Sequence, residues 1–121
     1  MIELIDDLPP GVIGCRAVGQ VTSDDYEQVL DPAVATALAE HDKVRLLYVL
    51  GPGFTGFSGG AMWADTTLGM GHLTRWERLA VVTDRDWIEH TVHAFGYLIP
   101  AKVKVFGVDD EDEARRWVAE G

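Results

Sequence analysis

Val44-Arg45-Leu46-Leu47-Tyr48-Val49-Leu50 is a nearly unbroken apolar run between the polar turn His41-Asp42-Lys43 and Gly51-Pro52-Gly53. A short run of that kind reads as a central parallel strand covered on both faces. Arg78 to Thr83 repeats the pattern, while Lys102 to Val108 alternates polar and apolar at first, as a strand nearer an edge does. Helical spacing fills the intervals. Tyr26, Val29, Leu30, Ala33, Val34, Ala37 and Leu38 recur every three or four residues, as do Ile88, Val92, Phe95 and Ile99. Ala114, Trp117 and Val118 follow the acidic stretch Asp109 to Glu113, which suits the positive end of a helix dipole.

Upstream, Ile2 to Ile5 and Val12 to Val18 read as two strands joined through Asp7-Leu8-Pro9-Pro10-Gly11, a connection short enough to imply antiparallel pairing. Gly19 and Thr22 end the second strand, and Ser23-Asp24-Asp25 supplies cap and first-turn residues. Pro32 either kinks the first helix or opens a second one capped by Asp31. Thr83-Asp84 reads as the cap of the helix carrying Ile88. The predicted order is β-β-α-β-α-β-α-β-α. It describes a single α/β domain over residues 1–121, with a mixed, mostly parallel sheet flanked by helices.

The 121 residues can bury a core without staples. A net charge of −10 and a pI near 4.6 argue against nucleic acid, whose phosphates need a basic stripe. The same sign opposes anionic lipid, so no stable membrane insertion is expected. Cys15 is the only cysteine, which excludes an internal disulfide and a thiolate metal cluster, and its apolar surroundings predict burial. There is no basic, apolar leader and no long uncharged run, so the expected location is cytoplasmic.

Residues 51–70 mix glycine with large apolar side chains. Five of the ten residues 51–60 are glycine, and Phe54, Phe57, Met62, Trp63 and Met70 stand among or just after them. A helix is predicted from about Ala61 to Gly71. Ala61, Ala64 and Leu68 would share its core face, Trp63 and Met70 the opposite one. Three burial partners fit that second face. The segment His72 to Trp76 could fold back over it, a second copy of the chain could form a homodimer there, or an apolar small molecule or lipid could occupy it.

Several groups of residues carry a resemblance to a known family. They are Gly19-Gln20-Val21-Thr22-Ser23-Asp24-Asp25-Tyr26-Glu27, Arg45-Leu46-Leu47-Tyr48, Gly60-Ala61-Met62-Trp63-Ala64-Asp65, Glu77-Arg78-Leu79-Ala80-Val81-Val82-Thr83-Asp84 and Ala94-Phe95-Gly96-Tyr97-Leu98-Ile99-Pro100. Together they resemble the SpoIIAA-like proteins, which are related to STAS domains. The resemblance covers almost the whole length. It implies a mixed sheet flanked by helices, similar also to CRAL-TRIO lipid carriers. It implies no established catalysis, and it points to apolar-ligand binding with membrane association through mobile helices.

Two enzyme patterns in the glycine-rich stretch fail on spacing. Gly51-Pro52-Gly53-Phe54-Thr55-Gly56 matches the dinucleotide fingerprint, but the helix signal starts too late and Pro52 removes an amide donor. Gly56-Phe57-Ser58-Gly59-Gly60 matches a nucleophile elbow with Asp86 and His90 in triad order, yet Ser58 lies well past its strand. His90 and His93 share a helix face opposite Ile88, Val92 and Phe95, where solvation is the ordinary reading, and neither His41 nor His72 completes a metal site. No catalytic residue, metal or cofactor is expected.

The favoured expectation is therefore a non-enzymatic binding protein for an apolar or lipid-like ligand. Phe54, Phe57, Met62, Trp63 and Met70 would line a loop-helix lid, and Gly53, Gly56, Gly59 and Gly60 would act as its hinges. Trp87 and Phe95 would form the pocket floor. The alternative is a regulatory protein-interaction module switched by phosphorylation of Ser58. STAS antagonists carry such a serine in Asp-Ser-x-Gly, where this chain has Phe-Ser-Gly-Gly.

Overall fold

The computed structural model describes residues 1–60, 75–96 and 100–120, except for the side chain of Phe95. Its main sheet has five strands in the order β1-β2-β4-β6-β7. These are β1 (Ile2–Ile5), β2 (Val12–Ala17), β4 (Val44–Leu50), β6 (Trp76–Thr83) and β7 (Lys102–Phe106). β1 runs antiparallel to β2, and the remaining pairs are parallel. The apolar run Val44–Leu50 is thus the middle strand, and Lys102–Phe106 lies at an edge.

Both faces of β4 are used. Val44, Tyr48 and Leu50 point into one core with Cys15, Tyr26, Leu30, Val34 and Ile88, while Leu47 and Val49 point into the other with Ala114 and Val118. The first face is covered by a helical run and by α3 (Asp86–Gly96), the second by α4 (Glu111–Ala119). That three-layer arrangement is why a run without alternation can be a strand.

The helical run has three parts: α1 (Ser23–Asp25), a π-helical turn (Tyr26–Leu30) and α2 (Asp31–Glu40). Its N-cap is Thr22, one residue before the expected serine. The Asp25 carboxylate accepts hydrogen bonds from the Thr22 amide at 2.7 Å and from its hydroxyl at 3.1 Å. A second helix does begin here, with Pro32 in its first turn, but its N-cap is Leu30 and not Asp31. Asp31 keeps helical dihedrals, and its amide bonds to the Tyr26 carbonyl five residues back. Proline cannot donate and crowds the carbonyl four residues earlier, so a widened turn ahead of it lets the helix run on.

The expected order omitted two strands. β3 (Gly19–Val21) and β5 (Phe54–Phe57) pair in parallel as a second, two-stranded sheet. β3 follows β2 directly and β5 follows β4, so this small sheet extends from the carboxyl ends of two central strands. β6 begins at Trp76, earlier than Arg78. Trp76 is a core residue, 2% exposed, while residues 72–74 and the predicted helix they would cover lie outside the described residues. Asp84 does not cap α3; its carboxylate accepts the Val108 amide at 3.0 Å, while the Thr83 hydroxyl accepts the Arg85 amide at 3.1 Å. A 3-10 turn, Val108–Asp110, precedes α4. No helix among the described residues is long and apolar enough to cross a membrane.

Candidate functional site

The carboxyl ends of parallel strands are where open α/β sheets place ligands. Here β5 crosses that edge. Gly19 donates its amide to the Gly53 carbonyl at 2.7 Å, and Ser58 donates to the Val21 carbonyl at 2.9 Å. Residues 53–58 are therefore pinned at both ends beside β3, and within the expected loop Gly51 to Gly60 the residues Phe54–Phe57 form a paired strand. A bulge separates the partners Gly19↔Phe54 and Gln20↔Gly56. Gly56 has φ +150°, a conformation that side chains rarely adopt, so glycine there shapes the strand. Gly59 and Gly60 are helical, and a Cβ on Gly60 would lie 3.2 Å from the Ser23 hydroxyl oxygen. Of the four expected hinges, Gly53 lies in the turn before β5, Gly56 is in the strand, and Gly59 and Gly60 are helical.

The aromatic residues divide by depth. Phe54 is completely buried and belongs to the core rather than to the lining of a lid. The Arg85 guanidinium stands 5.2 Å from the Phe54 ring centre, and its Nη2 donates to the Phe54 carbonyl. Phe57, half-buried, tilts against Phe54 with centroids 4.9 Å apart and meets Trp87 edge to face at 6.2 Å. Trp87 is 45% exposed, so it forms an open wall instead of a pocket floor. Side chains thus rise from core to solvent through Phe54, Phe57 and Trp87. The sequence contained both ends of this step but no sign of which would be buried.

Farther along α3, a groove of about 290 Å³ opens against β7, lined by Val92, His93, Gly96, Ala101, Val103 and Val105. It lies on the same helix as Trp87, and sequence reasoning did not anticipate it. Its side chains are apolar apart from the imidazole of His93, which is 4.0 Å from Glu89, and polar atoms make up about half of its exposed lining.

Ser58 is half-buried and stands directly before helical residues 59 and 60, as expected of a serine at a helix start. Asp86 and His90 are exposed. No group of three or more metal-ligating side chains is present among the described residues. Met62, Trp63 and Met70, the predicted helix that carries them, and Tyr97 lie outside the described residues, as does the Phe95 side chain.

Two resolved pKa shifts belong to carboxylates that hold the helical layers. Burial pushes the Asp25 carboxyl up, but hydrogen bonds from Thr22 and the N-terminal ammonium bring it below its usual value. Glu111 is held low by hydrogen bonds from Arg16 and Arg115, against the opposing effect of burial. Both Arg16 contacts with Glu111 are 3.1 Å.

A family model described as SpoIIAA-like matches residues 12–119. A crystal structure from Shewanella loihica PV-4, described as an uncharacterized protein from the DUF3478 family with a SpoIIAA-like fold, is similar at a TM-score of 0.77 and 26% identity. The likeness covers 98% of this chain and 92% of that one. No curated protein matches the chain.

Proposed function

The chain belongs to the SpoIIAA-like family, and from that premise we propose that it is a non-enzymatic binding module for an apolar or lipid-like ligand. The ligand contacts the Phe57–Trp87 step at the carboxyl edge of the sheet. One observation supports this reading above the others: an exposed tryptophan stacked edge-on against a half-buried phenylalanine, backed by a fully buried one. Covering a large apolar side chain contributes about 1.5–3 kcal/mol, and a rigid aromatic pair needs little ordering on binding. Asp84, Asp86 and Glu89 are exposed near Trp87 in sequence, which disfavours lasting contact with an anionic bilayer and leaves transient association.

The test uses a dansyl-labelled undecanoate as probe. Binding is expected to shift the tryptophan emission, and Trp87→Phe removes most of that shift although three other tryptophans remain. Phe57→Ala and Trp87→Ala each weaken binding about tenfold. Unchanged affinity in both variants sinks the proposed contact.

A second reading rests on Ser58. Phosphate there would meet the amides of a starting helix, a favourable position for negative charge. In this reading the module releases a partner protein when Ser58 is modified. Intact-mass measurement of protein from cells at several growth stages tests it, and a single unmodified mass throughout counts against it.

A further inference from the structure

We infer that the β1 edge of one copy of this chain docks in antiparallel register on the β7 edge of the next, extending the sheet from molecule to molecule. Among the described residues β1 and β7 are the two outer strands of the five-stranded sheet. An outer strand leaves half of its amides and carbonyls without ladder partners, so it can accept another strand.

The pairing register shows which side chains share a face. Leu4 is paired with Cys15, Cys15 with Tyr48, Tyr48 with Val81, and Val81 with Val105. Leu4 therefore points to the same face as Val103 and Val105, the face carrying the groove beside α3. Leu4 is 45% exposed on that face. One edge thus presents an exposed apolar side chain and the other a groove whose side chains, apart from His93, are apolar.

The opposite face supplies charge. Glu3 is paired with Arg16, Arg16 with Val49, Val49 with Val82, and Val82 with Phe106. Glu3 therefore shares a face with Lys102, Lys104 and Phe106, and Glu3, Lys102 and Lys104 are all exposed. On a chain of net charge −10, these two lysines make β7 a locally basic edge.

Three edge pairings are conceivable, and charge selects one. β7 against β7 sets lysine against lysine, and β1 against β1 sets glutamate against glutamate. Like charges directly opposite each other destabilise a pair. β1 against β7 sets Glu3 beside Lys102 or Lys104 and Leu4 into the groove. β1 is antiparallel to the other four strands, so the added strand is antiparallel to β7. Edge lysines commonly block strand addition; here they block only the like-charged alternative. Two different surfaces meet, so the contact is heterologous, and we take the twisted sheet to continue as an open chain instead of closing into a ring.

Sedimentation velocity on the full chain tests this. The wild-type weight-average sedimentation coefficient is expected to rise continuously with concentration up to about 1 mM, the weak limit of specific association. Leu4→Lys and the double variant Lys102→Glu, Lys104→Glu, all at exposed positions, should each sediment as a monomer. Mixed in equal amounts, they should form dimers and nothing larger, because each retains one working edge. A wild-type protein that stays monomeric throughout, or a mixture that does not pair, overturns the inference. A closed wild-type dimer of fixed size does so as well.

Discussion

Gly14 shows how much one missing methyl group can matter. It lies in β2 beneath Leu8, and a Cβ there would sit 2.3 Å from Leu8 Cδ1 and 3.0 Å from Ile5 Cβ. The leucine tip can turn aside, but the isoleucine Cβ is tied to its strand. Gly14→Ala is therefore expected to cost about 1–3 kcal/mol, read as a lower urea midpoint, with partial recovery in the Gly14→Ala, Leu8→Ala double variant. Nothing in the local pattern of Val12 to Val18 marked Gly14 as crowded, since both neighbours come from outside that run. The two phenylalanines of β5 make the same point. Their local context is nearly the same, yet Phe54 is fully buried and Phe57 half-buried. Phe54→Ala should cost about 3–5 kcal/mol by leaving a cavity, and Phe57→Ala much less, so chemical denaturation separates the core residue from the proposed contact.

Among the elements, α2 and α4 are held at their carboxyl ends by arginines from the sheet side. Arg75, just before β6, donates to the carbonyls of Leu38, His41 and Asp42 at the end of α2. Arg45 and Arg78 do the same for α4: Arg45 reaches the carbonyls of Val118 and Glu120, and Arg78 reaches that of Trp117 while stacking on its ring. A cation at a helix carboxyl end satisfies orphan carbonyls and complements the dipole. Arg75→Ala should cost about 1–3 kcal/mol. Amide exchange should accelerate first in the last turn of α2, and uniform acceleration across the chain would point to another cause. The sequence offered no hint of this role, because an arginine next to an apolar run reads equally well as a solvated charge.

For the whole molecule, acid is the condition under which the layers should part. Glu111, at the start of α4, joins Arg16 of β2 to Arg115, which in turn reaches Asp7. Its folded pKa lies below the ordinary 4.5. Its contribution to stability is therefore complete above that value and is lost as pH falls through the lower folded value. Asp25 shifts in the same direction and adds to the same limb. Glu111→Gln should lower stability at neutral pH and flatten its decline below about pH 4.5, as measured by urea midpoints across pH. An acid limb as steep as that of the wild type would show that Glu111 is not part of it.

The sequence by itself determined the alternation of strands and helices, the central place of Val44–Leu50, the edge place of Lys102–Phe106 and the family resemblance. Those features rest on periodicity and motif, which are local. Only the tertiary structure decided that Phe54–Phe57 pairs with Gly19–Val21, that Phe54 is core and Trp87 surface, and which carbonyls the arginines satisfy. Each of those depends on partners brought together by crossover connections. A backbone segment rich in glycine has little conformational preference of its own, so whether it becomes loop or strand is settled by the strand it meets.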